Sequence, residues 1–85
     1  MLIEIFNLGK VQAGNAVEFE YTLVDNPKNI ELSCTCLSTE IYENKLKIKW
    51  TPKKKGKNYI SSRYVIITYS DNIKIKIQLK IDVYE

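Results

Sequence analysis

The last third of the chain all but dictates its own backbone. From Ile73 onward, apolar and polar residues alternate without a break: Ile75, Ile77, Leu79, Ile81 and Val83 stand against Lys74, Lys76, Gln78, Lys80 and Asp82. A β-strand turns successive side chains to opposite faces, so this period of two predicts a long strand with one face buried and one in water. The pattern recurs upstream. Val17, Phe19, Tyr21 and Leu23 alternate with Glu18, Glu20 and Thr22, until Asp25-Asn26-Pro27 supplies turn chemistry that ends the strand. Ile30, Leu32, Cys34 and Cys36 share one parity against Glu31, Ser33 and Thr35, and Leu46, Ile48 and Trp50 alternate with Lys45, Lys47 and Lys49. Thr51 to Asn58 (TPKKKGKN) reads as a polar loop containing Pro52 and Gly56. No segment fits a helical stripe better. The spacing predicts roughly seven short strands packed as an antiparallel β-sandwich.

Eighty-five residues hold one domain and no more, so residues 1–85 are expected to share a single modest core. Twelve Ile and six Tyr against two Ala agree with strands, because Ile and Tyr favour them and Ala is the best helix former. The twelve Lys and seven Asn add a bias that A- and T-rich codons also produce. There is no His, which removes the commonest general base and the commonest metal ligand. No glycine-rich phosphate-binding run occurs, and no catalytic constellation or cofactor motif is recognisable. The N-terminal Met-Leu-Ile-Glu-Ile-Phe lacks a basic region and a signal-length apolar run, and nowhere is there an apolar stretch of membrane-spanning length. A chain that is cytoplasmic or virion-associated is expected. A net charge of +3 is mild, so nucleic acid is not the partner it suggests.

Several short motifs read together carry a likeness. Phe6-Asn7-Leu8-Gly9-Lys10-Val11, Gly14, Val17-Glu18-Phe19-Glu20-Tyr21, Asn26, Leu32-Ser33-Cys34-Thr35-Cys36, Thr51-Pro52 and Gly56 precede the Ile-rich final strand. The set resembles the small bacterial and phage immunoglobulin-like domains with a Ser-Cys-Gly-Cys-Thr signature, relatives of the hydin and major-sperm-protein-like sandwiches. Thr35 stands where that signature has Gly, and Glu43-Asn44 where it has Pro-Gly before the middle strand. The resemblance spans nearly the whole chain. It implies an immunoglobulin-like sandwich serving as a binding or scaffolding module, with no chemistry of its own.

Cys34 and Cys36, two apart on a strand, would point to the same face as Ile30 and Leu32. Extended residues at this spacing lie ~6.5 Å apart, at the limit of relaxed disulfide geometry, so a bridge would require a bend. One reading is two small buried hydrophobes. The other is a metal- or redox-responsive thiolate pair, taking soft Cu(I) or sharing four Cys across a dimer, since two sulfurs alone do not complete a zinc site.

Lys53, Lys54, Lys55 and Lys57 form the densest run of charge. It reads as a solvated hairpin tip, with anion contact the sharper alternative. In an immunoglobulin-like topology the strand of Lys45, Lys47 and Lys49 should pair with that of Glu18 and Glu20, giving an outward charge ladder.

Tyr64-Val65-Ile66-Ile67-Thr68-Tyr69 refuses to alternate and is apolar on both faces. If Asp71-Asn72 forms a two-residue hairpin loop, Ser70 faces Ile73 and Thr68 faces Ile75. Tyr64 and Ile66 then enter the core, while Val65, Ile67 and Tyr69 lie outside beside Lys74 and Lys76. A three-residue loop exchanges the two sets. Contiguous exposed apolar side chains mark interaction sites, unless lysine stems cover them. The function expected is therefore a non-enzymatic interaction or structural module, such as a small phage virion or bacterial accessory protein. It would present a sheet face or edge strand to a protein partner or to itself.

Overall fold

The computed structural model describes residues 1–85. Strands occupy 67% of the chain and no helix forms, as the scarcity of Ala and the period-two pattern lead one to expect. In chain order they are β1 (Leu2–Gln12), β2 (Val17–Thr22), β3 (Asn29–Leu32), β4 (Leu37–Tyr42), β5 (Lys45–Trp50), β6 (Tyr59–Ser70) and β7 (Ile73–Tyr84). Two sheets result. One has four strands in the order β1-β7-β6-β3, the other three in the order β2-β5-β4. All pairings are antiparallel except β1 with β7, which joins the two ends of the chain in parallel.

A single apolar cluster lies between the sheets. Leu46, Ile48 and Trp50 of β5 meet Val65 and Ile67 of β6 and Ile77, Leu79, Ile81 and Val83 of β7, all at 2% exposure or less. Burying side chains of this size contributes about 1.5–3 kcal/mol each before chain entropy is counted, so these three strands carry most of the stability. The opposite parity of β5 and β7 faces water, as the alternation predicts.

Two irregularities decide which residues face in. Along β6 and β7, Ser70 pairs with Ile73 around the two-residue Asp71-Asn72 loop, but Thr68 pairs with Lys74 and not Ile75. Tyr69 is the extra residue. A bulge of this kind moves every preceding side chain to the other face. Tyr69 itself turns inward, 8% exposed, and its hydroxyl accepts the Val24 N–H at 3.4 Å. Val65 and Ile67 follow it into the core opposite Ile77 and Ile75. The expected outward set of Val65, Ile67 and Tyr69 is thus corrected: all three are buried, while Ile60, Tyr64 and Ile66 share the outer face with Lys74 and Lys76.

The same device operates in β1. Asn7 pairs with Lys80 and Lys10 with Asp82, leaving one residue too many between them. Gly9 absorbs it at φ 81°, a conformation that costs a residue without Cβ little, and the Asn7 side chain accepts the Gly9 N–H at 3.0 Å. Before this bulge Glu4, Phe6 and Leu8 face inward and Ile3 and Ile5 outward; after it Val11 takes the inward place.

Candidate functional site

Three surfaces are candidates, and the sequence pattern builds each differently. The first is the outer face of the three-stranded sheet. β5 sits between β2 and β4, with Glu18 opposite Lys49 and Glu20 opposite Lys47. The ion pairs run diagonally, Lys45 to Glu20 at 3.8 Å and Lys47 to Glu18 at 3.9 Å. Tyr42 of β4 donates its hydroxyl to Glu20 at 2.9 Å, and that hydrogen bond, ahead of slight burial and nearby carboxylates, raises the Tyr42 pKa. The expected charge ladder is present, and it makes the β2 edge of this sheet acidic and hydrated.

The second surface is the open edge of the four-stranded sheet. β1 pairs only with β7, so one side of an eleven-residue strand has no partner. Leu2, Ile3 and Ile5 are 60%, 53% and 66% exposed. No charged side chain points outward from β1 before Lys10, because Glu4 turns inward and receives the Tyr21 hydroxyl at 2.5 Å. Burial first, then the hydrogen bond and charge of Glu4, push the Tyr21 pKa up to about 12. Phe6 continues the contact, its ring centroid 4.6 Å from that of Phe19 and 6.5 Å from that of Tyr21. The inner side of β1 is therefore clasped to the other sheet while its outer side is bare. The opposite edge, β3, is only four residues long. Elsewhere on the outer face of this sheet, the Lys76 ammonium lies 4.5 Å from the Tyr64 ring centroid and covers it.

The third candidate is the cysteine turn. β3 ends at Leu32, the chain bends at Ser33, and Cys34 to Cys36 turn across from one sheet to the other. The Leu37 N–H bonds back to the Cys34 carbonyl at 3.2 Å. That corrects the expectation of a strand running through both cysteines. The turn supplies the bend a bridge would need: the Cα atoms are 5.2 Å apart and the sulfurs form a disulfide. Both residues remain partly exposed and pack against the core. A loop of three residues constrains the unfolded chain little, by about 1.6 kcal/mol on the loop-entropy relation. Neither sulfur in this form is a thiolate, and nowhere do three or more His, Cys, Asp or Glu side chains gather as metal ligands would.

A cavity of about 160 Å³ opens beside the disulfide, lined by both cysteines, Trp50, Lys53, Lys55 and Arg63 among others. The lysine run that lines it is not a hairpin tip, because it connects β5 of one sheet to β6 of the other. It is also organised. Tyr59 donates its hydroxyl to the Lys53 carbonyl at 2.5 Å, Lys55 lies 4.4 Å from the Tyr59 ring centroid, and the Gly56 N–H reaches Glu85. In the amino-acid order the cysteines and the lysines are separate features; only the crossing between sheets brings them together.

An all-β chain of two sheets is the class these observations define. Compared with known protein families and with curated proteins, the sequence matches none. Among solved structures, an endo-fucoidan hydrolase from glycoside hydrolase family 107 contains a similar fold, with a TM-score of 0.65 at 16% identity. The likeness covers 93% of this chain but 12% of that one, so this chain spans about an eighth of the enzyme's length. At such identity it bears on the fold alone. No helix here is long and apolar enough to cross a membrane.

Proposed function

We propose that the chain is a non-enzymatic, immunoglobulin-like module that assembles by pairing β1 with β1 of a second copy. The immunoglobulin-like reading is supported by strand order. Three strands, β2-β5-β4, oppose a sheet in which β7, β6 and β3 are neighbours, as strands B-E-D oppose G-F-C in those sandwiches. The first strand lies beside the last instead of beside the second.

One observation carries the assembly: an eleven-residue edge with Leu2, Ile3 and Ile5 exposed and no outward charge for its first eight positions. Long apolar edges invite a further strand, and natural sheets normally blunt them with charge, Pro or shortness. A second copy fits by symmetry, since a two-fold axis satisfies both edges at once. Centred on Ile5, antiparallel pairing places Ile5 opposite Ile5, Ile3 opposite Asn7 and Glu4 opposite Phe6. No like charges meet in that register, and it ends at the Gly9 bulge. Such a contact suits a repeated structural subunit, which is the accessory or virion role the composition suggests.

The test is a crosslink in a Cys34→Ser/Cys36→Ser background. Ile5→Cys should give a disulfide-linked dimer on mild oxidation, because opposed Cβ atoms lie ~4.5–5.5 Å apart. Asn7→Cys should not, because its symmetry mate is about 13 Å away along the ladder. Sedimentation of the unmodified chain should show a dimer that Ile3→Lys/Ile5→Lys makes monomeric. A wild-type monomer at high micromolar concentration, with no crosslink at position 5, would sink the proposal.

A further inference from the structure

We propose that Cys34 and Cys36 form a thiol–disulfide exchange site whose co-reactant is an anionic, carboxylate-bearing thiol. The inference is independent of the β1 edge and rests on four features of the turn. The disulfide is partly exposed and borders a cavity. Three cations, Lys53, Lys55 and Arg63, line that cavity, and no acidic residue does. The Cys36 N–H donates to Cys34 Sγ at 3.1 Å. The bridge spans a sequence separation of two within one turn, so it closes only a short loop and does not itself link one sheet to the other.

These features assign the roles. An incoming thiolate RS⁻, drawn by the cations, attacks Cys36 Sγ. The Cys34–Cys36 bond breaks, its electron pair leaves on Cys34 Sγ, and a mixed disulfide remains on Cys36. The backbone N–H stabilises the departing Cys34 thiolate, and a better-stabilised thiolate leaves faster. A second RS⁻ then attacks the sulfur of R in the mixed disulfide, releasing RSSR and the Cys36 thiolate. Two thiols have lost two electrons, and the cysteine pair has gained them. In the reverse direction the Cys36 thiolate attacks RSSR, expelling RS⁻ and taking up the adduct, and the Cys34 thiolate then attacks Cys36 Sγ, expelling the second RS⁻ and closing the bridge.

Cations next to a cysteine also hold it as thiolate, the form that exchanges. The structural alternative is an inert bridge, and the two differ in measurable ways. Reduction rates are compared for 3-mercaptopropionate and cysteamine, each corrected for thiolate fraction and normalised to a neutral small-molecule disulfide. The anionic thiol should be favoured by about fivefold or more at low salt, falling towards unity in 0.5 M salt, as steering by nearby charge requires. Lys53→Glu/Lys55→Glu, in an exposed loop, should reverse the preference. Thiolate absorbance should place the Cys34 pKa in Cys36→Ser below the Cys36 pKa in Cys34→Ser. Far-UV dichroism should be unchanged by reduction. An anionic preference that is absent or indifferent to the lysines overturns the proposal. So does unfolding on reduction, or two free thiols persisting after diamide treatment.

Discussion

The two sheets spend the same residue types in opposite ways at their edges. In the three-stranded sheet, alternation is strict and every outward place on β2 and β5 is charged or polar. Glu18 and Glu20 face Lys45, Lys47 and Lys49, and Tyr42 closes the row against Glu20. In the four-stranded sheet, β1 carries Ile3 and Ile5 outward and β6 carries Ile60, Tyr64 and Ile66. A lysine covers the middle of that face, at Tyr64, but nothing covers its β1 edge. Hydration guards one edge, and the other is free to pair. The difference is what directs the proposed assembly to β1, because a sheet that had only to fold could have carried lysines at Ile3 and Ile5 as it does at Lys74 and Lys80.

The largest effect should come from neighbours in β6 that the Tyr69 bulge sends to opposite faces. Ile67 is 0% exposed, and Ile67→Lys would bury an unpaired charge in a core of apolar side chains. A loss of at least about 4 kcal/mol is expected, most of the stability of a small domain. Ile66→Lys, one position away on the outer face, should change stability by under about 1 kcal/mol. Denaturant midpoints of the two variants decide the register. Equal losses, or the reverse order, would mean that the bulge does not form.

A middle-sized effect is expected at the clasp that holds β1 to the other sheet. Tyr21→Phe removes the donor to the half-buried Glu4 carboxylate and should cost about 1 kcal/mol. The pKa supplies a second readout. Tyr21 is held up to about 12 in the folded chain, against an ordinary value near 10. A raised folded value means that the neutral phenol adds stability fully present below about pH 10, lost progressively as the pH climbs towards 12. Phenolate absorbance should therefore show Tyr21 among the last tyrosines to ionise. Glu4→Gln should bring it down, because the hydrogen bond and charge of Glu4 both act to raise it. If Glu4→Gln leaves that titration unmoved, β1 is not clasped in this way.

Much of this architecture is legible in the amino-acid order, and the illegible parts have definite causes. Where only one parity is apolar, as in Val17–Thr22, Lys45–Trp50 and Ile75–Val83, the buried face follows at once. Where both parities are apolar, alternation is silent and a single inserted residue decides. Ser70-Asp71-Asn72 does mark the β6–β7 turn, with the pairing of Ser70 and Ile73 that a two-residue loop implies. Tyr69 gives no local sign that it is the extra residue, and the groups it meets inside are distant in sequence, the Val24 N–H 45 positions away among them. Glu4 is a similar case, a charge that turns inward because Tyr21 waits on the other sheet. At the cysteines, the alternation runs on through Ser33 in the amino-acid order, but the chain leaves its sheet there. The cationic cavity beside them depends on a loop 17 or more residues further along. At Tyr69, Glu4 and the cationic cavity the partner lies far away in sequence, whereas at the cysteines a local turn replaces the strand.

The smallest effect should come from the guarded side. Glu18 is about half exposed and its contact with Lys47 is 3.9 Å, so water screens most of the attraction. Glu18→Gln/Glu20→Gln should lower stability by only about 0.2–1 kcal/mol, a difference that fades at high salt. Tyr42 gives a site-specific check, since losing the Glu20 carboxylate should bring its raised pKa down. If the ladder exists chiefly to keep an edge wet, the double variant should stay folded and gain no new association, because the Gln amides remain polar and Lys45, Lys47 and Lys49 keep their charge beside them. Loss of several kcal/mol would instead make the ladder a structural tie, and hydration would no longer explain why one sheet is charged at its β2 edge while the other is bare.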